Sequence, residues 1–331
     1  MRQEPLIVPY DGGIFLRILK VKCLAPTRLD HYLMQQYPSL NPGRLNKALR
    51  ENKIKLNGKK QPLSTRVMAG DEIKLFILDD QLDDNQDETG PAWKRARCPA
   101  EVIYNSPQLL VVNKPAGLAV DGPDNDTLLN RALLYLNSQN EYNEDSLYQP
   151  ALCHRLDTGT SGLVLIAKSP EAEQILLEAI KERRVKKTYL CVTFGRPIPP
   201  EGTLGGWLLK DADLGKVQIL PEKKPGAKEV CTEYETIAVS GRLALLKVHL
   251  VTGRTHQIRA HMASIGCPIL GDSKYGNNAA NRELRLKYQA LCAWELVLPA
   301  FSQPILADLS GKTFHAPKPW YYGQILDGTL K

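Results

Sequence analysis

The sequence predicts an α+β protein in two unequal parts: a small helix–helix–hairpin unit, then a larger unit of mixed strands and helices. Three observations predict it. Residues 41–66 carry Arg44, Lys47, Arg50, Lys53, Lys55, Lys59, Lys60 and Arg66 against one acid, Glu51. Residues 79–88 reverse this, with Asp79, Asp80, Asp83, Asp84, Asp87 and Glu88 and no cation. Beyond residue 98, short apolar runs alternate with stretches of helical period. The acidic stretch has Leu82 as its single aliphatic residue and ends in Gly90-Pro91, so it can bury little and reads as a solvated linker. The expected division is an N-terminal strand or extension over 1–26, the small unit over 27–78, the linker over 79–98 and the large unit over 99–331.

In the small unit, Thr27 is a candidate cap for a helix from about Arg28 to Tyr37, with Leu29, Tyr32 and Leu33 on one face. Asn41-Pro42 starts a second helix, because proline suits the first helical position. Leu45, Ala48 and Leu49 point one way there, while Arg44, Lys47 and Arg50 follow at spacings of three on another flank. Ile54 to Leu56 reads as a strand entering the turn Asn57-Gly58, and Glu72 to Leu78 as a second strand. In the large unit, Leu109 to Asn113 is a strand ending in the turn Lys114-Pro115-Ala116-Gly117. Asp126-Thr127 starts a helix through about Leu136. Pro170 to Glu182 is helical, with Ile175, Leu176, Ala179 and Ile180 facing inward. Thr188 to Phe194, Glu233 to Val239 and Ala244 to Val251 are strands. The glycines and prolines of 200–228 suggest an insertion loop. Arg254 to Ile265 suggests a helix, and the C-terminal region reads as strand-rich.

Composition narrows the class. The 331 residues, 43% of them hydrophobic, suit a folded soluble protein. No apolar run approaches the ~20 residues of a membrane span. Residues 1–13 lack the charged end and apolar core of a secretory signal, and Glu4 and Asp11 argue against a mitochondrial address. The seven cysteines are odd in number, scattered and without a Cys-x-x-Cys pair, so they read as reduced cytosolic thiols. A net charge of +7 suits a nucleic-acid partner, but decides less than its concentration in 41–66.

The densest chemical signal is His154-Arg155-Leu156-Asp157-Thr158-Gly159-Thr160-Ser161-Gly162, just before the apolar run Leu163 to Ala167. On these nine residues alone a plain turn explains Asp157, since Asp and Gly are turn formers. Three further segments weigh against that: Val112-Asn113-Lys114-Pro115-Ala116-Gly117, Lys187-Thr188-Tyr189-Leu190, and Val251 to His261, which continues to Gly271-Asp272 and Tyr275-Gly276. Taken in order, these segments resemble the motifs of the RluA-type pseudouridine synthases over nearly all of residues 100–331. Arg28-Leu29-Asp30, Ile54-Lys55-Leu56-Asn57-Gly58-Lys59 and Gly70-Asp71-Glu72-Ile73 resemble an S4 RNA-binding domain over about 27–78.

The first resemblance implies a mixed, largely antiparallel sheet and the isomerisation of uridine to pseudouridine in RNA. Uracil leaves C1′ of its ribose, turns and rejoins through C5, with no net redox change and no cofactor. Asp157 matches the family's catalytic aspartate. Attack at C1′, attack at C6 and a glycal route through C2′ all remain open to it. Desolvation alone would raise its pKa, so a nearby cation is needed, and the resemblance assigns Arg254. Tyr189 matches the active-site tyrosine, able to stack on a flipped base. Arg155 matches the arginine that displaces the base from its helix. His256, Gln257 and Arg259 are expected RNA contacts, as are Arg44, Lys47, Arg50, Lys53, Lys55, Lys59 and Lys60. Lys181, Arg183, Arg184, Lys186 and Lys187 form a second basic cluster. One departure stands out: Leu291-Cys292-Ala293 occupies the place where the family often has Leu-His-Ala.

Competing classes are weaker. His256 and His261 are five apart with no glutamate after His256, unlike a helical zinc pair, so no metal is expected. A noncatalytic RNA- or ribosome-binding protein would not need Asp157, Tyr189 and Arg254 together. The His-Ile-Gly-His and Lys-Met-Ser-Lys-Ser signatures of aminoacyl-tRNA synthetases are absent. So are the kinase Gly-rich loop and Asp-Phe-Gly. Within the family, an S4 domain commonly accompanies action on large-subunit (23S-type) ribosomal RNA, with transfer RNA as the alternative. The expected setting is the bacterial cytoplasm, away from any membrane, and the expected state a monomer.

Overall fold

Leu29, Tyr32 and Leu33 lie on one face of the first helix, and their burial organises the N-terminal part of the chain. The computed structural model describes residues 6–10, 14–22, 26–37, 40, 42–76, 90–211 and 215–331. The chain splits into two compact units, Met1–Gly90 and Pro91–Lys331.

In the first unit, strands β1 (Leu6–Tyr10), β2 (Ile14–Lys20), β4 (Ile54–Leu56) and β6 (Glu72–Phe76) form an antiparallel sheet in the order β1-β2-β6-β4. Helices α1 (Leu29–Gln36) and α2 (Pro42–Arg50) accompany it. Leu19, Leu33, Leu45, Ile54 and Ile73 share one core. The N-terminal residues therefore belong to this unit, since β2 pairs directly with β6. Thr27 does not cap α1. It lies in β3 (Thr27–Arg28), paired with β5 (Arg66–Val67), and the helix starts from Arg28 without a side-chain cap. The Asn57-Gly58 turn forms with both residues at positive φ, and the Asn57 side chain ties Asp71 to the backbone of Glu72. Residues 77–89, which hold most of the expected linker, lie outside the described residues. Residues 91–98 join the second unit, because Trp93, on a short 3₁₀ turn, is buried beside Leu110, Leu128 and Leu136.

The second unit is built on one mixed, largely antiparallel sheet. Its strands are β7 (Glu101–Asn105), β8 (Leu109–Lys114), β9 (Ala151–Leu152), β10 (Ser161–Ala167), β11 (Lys186–Phe194), β12 (Glu201–Asp211), β13 (Lys216–Leu220), β14 (Lys228–Ser240), β15 (Leu243–Leu250), β16 (Leu291–Val297) and β17 (Thr313–His315). The main order is β13-β12-β14-β15-β11-β16-β10-β8-β7, with β9 on β10 and β17 on β16. Alternate residues of a central strand feed opposite faces. Leu163 and Leu165 pack under helix α4 (Pro170–Lys181) and the C-terminal helix α7 (Trp320–Leu326). Val164 and Ile166 face Trp93 and helix α3 (Leu128–Ser138) instead. Thr127 caps α3 by accepting from the Asn130 amide, and Ser169 caps α4 in the same way.

Residues 200–228 differ from the expected insertion loop. Most of them form β12 and β13, a hairpin continuing the sheet through β14. Leu208, Val217 and Val230 make a small core with Ala260, which gives the hairpin a buried face despite its glycines. The predicted helix at 254–265 is shorter, α5 (Gln257–Ser264), because His256 takes a left-handed conformation at φ 56° and starts the helix there. The C-terminal region also holds the short helix α6 (Asn278–Glu283) beside its strands.

The two antiparallel halves of the large sheet meet at one short parallel contact, Ser161 and Gly162 against Cys292 and Ala293. Gly162 has φ 110°, and a Cβ there would stand 2.2 Å from the Ala293 carbonyl oxygen. No side chain fits without moving backbone. Gly162→Ala is expected to destabilise the protein by about 2–4 kcal/mol. A melting temperature equal to that of the unaltered protein would show that the joint is not tight.

Candidate active site

Asp157 lies in the loop that leads into β10, and three sets of hydrogen bonds fix this loop. The Asp157 carbonyl accepts from the Thr160 amide, closing a turn. The Thr158 carbonyl accepts from the Gly117 amide and from Lys114 Nζ at 3.0 Å. Thr160 Oγ1 accepts from Gln289 Nε2 at 3.1 Å. Gly159 is required for that last approach, since a Cβ would lie 2.2 Å from Gln289 Oε1. His154, upstream, is half-buried and accepts the Leu165 amide at Nε2. Burial, with the Lys187 charge, holds its pKa well below the usual histidine range. It is a neutral structural group.

Lys114 has no exposed surface, and its ammonium donates to the carbonyls of Pro115, Leu118 and Thr158. Burial pulls its pKa down to about 7, and the Asp157 charge acts in the opposite direction. The lysine gathers three carbonyls of the two turns around the aspartate. Its sequence signal was the Asn-Lys-Pro-Ala-Gly run after a strand, yet nothing in that run shows that the ammonium points inward.

The cation beside Asp157 is Arg259. Its Nη1 donates to Asp157 Oδ2 at 2.7 Å. The other edge of the same guanidinium forks onto Asp272, Nε to Oδ2 at 2.6 Å and Nη2 to Oδ1 at 2.9 Å. Burial works against the Arg259 charge, but the bonds and charges of Asp272 and Asp157 raise its pKa overall. Asp272 is fully buried; desolvation pushes its pKa up, and Arg259 with the Tyr275 and Lys274 amides brings it below the ordinary value. This corrects the expectation for Arg254. Arg254 precedes the left-handed residue His256, its side chain is exposed, and its backbone amide donates to Gln257 Oε1. Arg259 stands on the first turn of α5 and faces inward.

The expected RNA contacts in this segment change accordingly. Gln257 is buried and spends its amide on Thr252, Thr232 and the Cys231 carbonyl. Arg259 is committed to two carboxylates. His256 is half-buried, with Nε2 3.8 Å from Asp157 Oδ2. His261 is buried on Thr232, and burial lowers its pKa to about 4. Among the described residues no group of His, Cys, Asp and Glu could hold a metal ion.

Tyr189 stands on β11 opposite Ala293, in the cross-strand row that runs from Lys114 through Gly162 and Ala293 to Val248. The ring is buried, and burial together with the Asp157 charge raises its phenol pKa, so the hydroxyl stays protonated. Arg155 is 72% exposed and pairs with Asp121 at 2.8 Å. In the second basic cluster Lys181, Arg183, Arg184 and Lys186 are exposed, and Arg184 is paired with Glu182. In the first unit Arg50, Lys59 and Lys60 are exposed, while Lys53 pairs with Glu51 and Lys55 lies over the Phe76 ring. Arg44 and Lys47 sit on α2, but their side chains lie outside the described residues.

Comparison with known proteins gives the family of the chain. Residues 108–264 match the family described as RNA pseudouridylate synthase. The chain is 37% identical over 278 residues to the ribosomal large subunit pseudouridine synthase C of Rickettsia bellii, covering 79% of this chain and 86% of that one. It is 30% identical over 286 residues to the ribosomal large subunit pseudouridine synthase D of Nitrosomonas europaea, covering 83% and 78%. Its fold is similar to that of human RNA pseudouridylate synthase domain containing 4, with a TM-score of 0.56 and 24% identity over 72% of this chain and 94% of that one. The chain belongs to the RluA-type family of RNA pseudouridine synthases. It is an enzyme that isomerises uridine in RNA.

Arg259→Met removes the counter-ion of a fully buried carboxylate, so a loss of about 3–5 kcal/mol is expected; Arg254→Ala should leave the melting temperature in place. Equal melting of the two variants would contradict the pairing. The folded pKa of Asp272 is depressed. Its contribution is therefore complete above its unfolded pKa of about 3.9 and lost as pH falls below that, through the lower folded value. Asp272→Asn should flatten this acid limb of the stability curve, as read by denaturant titration between about pH 2 and 5.

Proposed function

We propose that this enzyme isomerises uridines of large-subunit ribosomal RNA, with Asp157 as the catalytic carboxylate. The observation that carries the reading is the position of Asp157: 24% exposed at its side chain, held on one oxygen by a buried arginine, with a protonated buried tyrosine within reach of its charge. An ionised carboxylate in a partly water-excluded site needs such a partner. Tyr189 faces the flipped uracil. Arg259, in place of Arg254, is the cation bonded to Asp157. Arg155 exchanges its surface partner Asp121 for RNA and fills the space the base leaves. The names of the curated relatives support the ribosomal substrate. No helix among the described residues is long and apolar enough to cross a membrane. The bacterial relatives named for ribosomal RNA support action in the bacterial cytoplasm.

The N-terminal unit acts in this reading as an S4-like RNA anchor. Its helix pair, its Asn57-Gly58 turn and the exposed cations Arg50, Lys59 and Lys60 suit phosphate contact, each neutralised phosphate releasing a counterion.

Asp157→Asn is expected to abolish tritium release from RNA labelled with 5-tritiated uridine while RNA binding persists; retained turnover would remove the aspartate from the mechanism. Replacing Arg50, Lys59 and Lys60 with Gln should weaken binding and reduce the slope of log affinity against log salt by roughly 2–3. An unchanged slope would take the N-terminal unit out of the binding account. A pseudouridine map of ribosomal and transfer RNA from cells with and without the gene identifies the substrate.

A further inference from the structure

Both side-chain contacts of Asp157 fall on the same oxygen. Arg259 Nη1 and His256 Nε2 approach Oδ2, at 2.7 and 3.8 Å, and among the described residues no donor reaches Oδ1. His256 is held from behind. Its Nδ1 lies 2.9 Å from the Tyr275 hydroxyl, and that same oxygen accepts the Val217 amide of β13 at 2.8 Å. The Tyr275 ring meets the imidazole edge-on, and the Arg259 guanidinium lies over the other side of that ring region at 5.2 Å from its centroid. His256 keeps a left-handed backbone to reach this position, a conformation that is uncommon outside glycine and is concentrated at functional sites.

These contacts decide where the imidazole proton sits. The Tyr275 oxygen already accepts from Val217, and burial raises the phenol pKa, so the phenol keeps its proton. If Nδ1 carried the imidazole proton, the Tyr275 hydrogen would have no acceptor among the described residues and the bare Nε2 lone pair would face a carboxylate. If Tyr275 donates to Nδ1, the imidazole proton lies on Nε2 and points at Asp157. Only the second arrangement uses every donor.

We propose that His256, locked by Tyr275 as the Nε2–H tautomer, is a positioning residue that holds Asp157 Oδ2 and so selects Oδ1 as the oxygen that acts on the substrate. This rests on Asp157 being the catalytic carboxylate. It holds whether that carboxylate works as a nucleophile or as a base. The groups facing His256 are Asp157, Arg259, Lys274, Asp272 and Tyr275. Burial lowers its pKa, Arg259 and Lys274 add to this, and the two aspartates oppose it, so the neutral ring is the resting form. The 3.8 Å separation shortens to a hydrogen bond when bound RNA excludes water from the site. Because Val217 belongs to the β12–β13 hairpin, the tautomer also depends on that hairpin being docked.

The test uses the full-length protein. Long-range ¹H–¹⁵N correlation on histidine-labelled enzyme should show His256 with a bare Nδ1 and a protonated Nε2. Tyr275→Phe should convert that signal to a tautomer mixture. His256→Asn keeps a residue that tolerates left-handed φ but is too short to reach Asp157. Its single-turnover tritium release, on 5-tritiated RNA from cells lacking the gene, should fall about 10–100-fold, the size of one charge-assisted hydrogen bond, with RNA affinity unchanged. His256→Gln, which can place an N–H near the Nε2 position, should recover most of the rate. An Nδ1–H tautomer in the unaltered enzyme, or a full rate in His256→Asn, overturns the proposal. Asp157→Asn measured alongside separates the two readings. Turnover there defeats the role of Asp157, whereas an inactive Asp157→Asn with a full-rate His256→Asn defeats only the role of His256.

Discussion

The second unit depends on how closely two backbones approach at Gly162 and Ala293. The sheet is antiparallel on both sides of this point and parallel only across it. The parallel contact is two residues long and lies at the start of β10, directly after the loop carrying Asp157. Lys114 lies on one side of the joint and Tyr189 on the other, in a single cross-strand row. A buried ammonium, a glycine with no room for a side chain and a buried phenol are thus set in line by hydrogen-bond register. Sheet register thus fixes the surroundings of the loop that carries Asp157.

Much of this was legible in the sequence. The helices at Pro42, Leu128 and Pro170 begin within two residues of their expected starts, because caps and prolines mark helix starts locally, and the helix at Leu29 does so on its apolar periodicity without the expected Thr27 cap. Asp157 and Tyr189 stood out in the sequence because their neighbours form motifs. The choice between Arg254 and Arg259 was not legible. Both belong to the same run, and what separates them is the left-handed turn at His256, which is set by tertiary contacts to Tyr275 and Asp157. Asp272 and Lys114 were visible as motif letters, but burial and partner cannot be read from a letter. The β12–β13 hairpin was missed because its glycines look like loop. Its buried face is supplied by Val230 and Ala260, which come from elsewhere in the chain.

The residues around Asp157 divide into two groups. Lys114, Thr160 and Gln289 hold the backbone of its loop. Arg259 and His256 address its carboxylate. The first group acts through carbonyls and hydroxyls that do not change during a reaction, so the loop stays in place whatever happens at the side chain. The second group is tied to Asp272 and Tyr275, and both of these are anchored in the stretch 272–275. One short segment therefore supports both contacts of the Asp157 carboxylate.

The fork between Arg259 and Asp272 also sets a charge balance. Two carboxylates share one guanidinium, and Lys114 supplies a second cation whose charge interacts with Asp157. The fork to Asp272 uses Nε and Nη2 and leaves Nη1 for Asp157, so both bonds to Asp272 are separate from the bond to the aspartate of the loop.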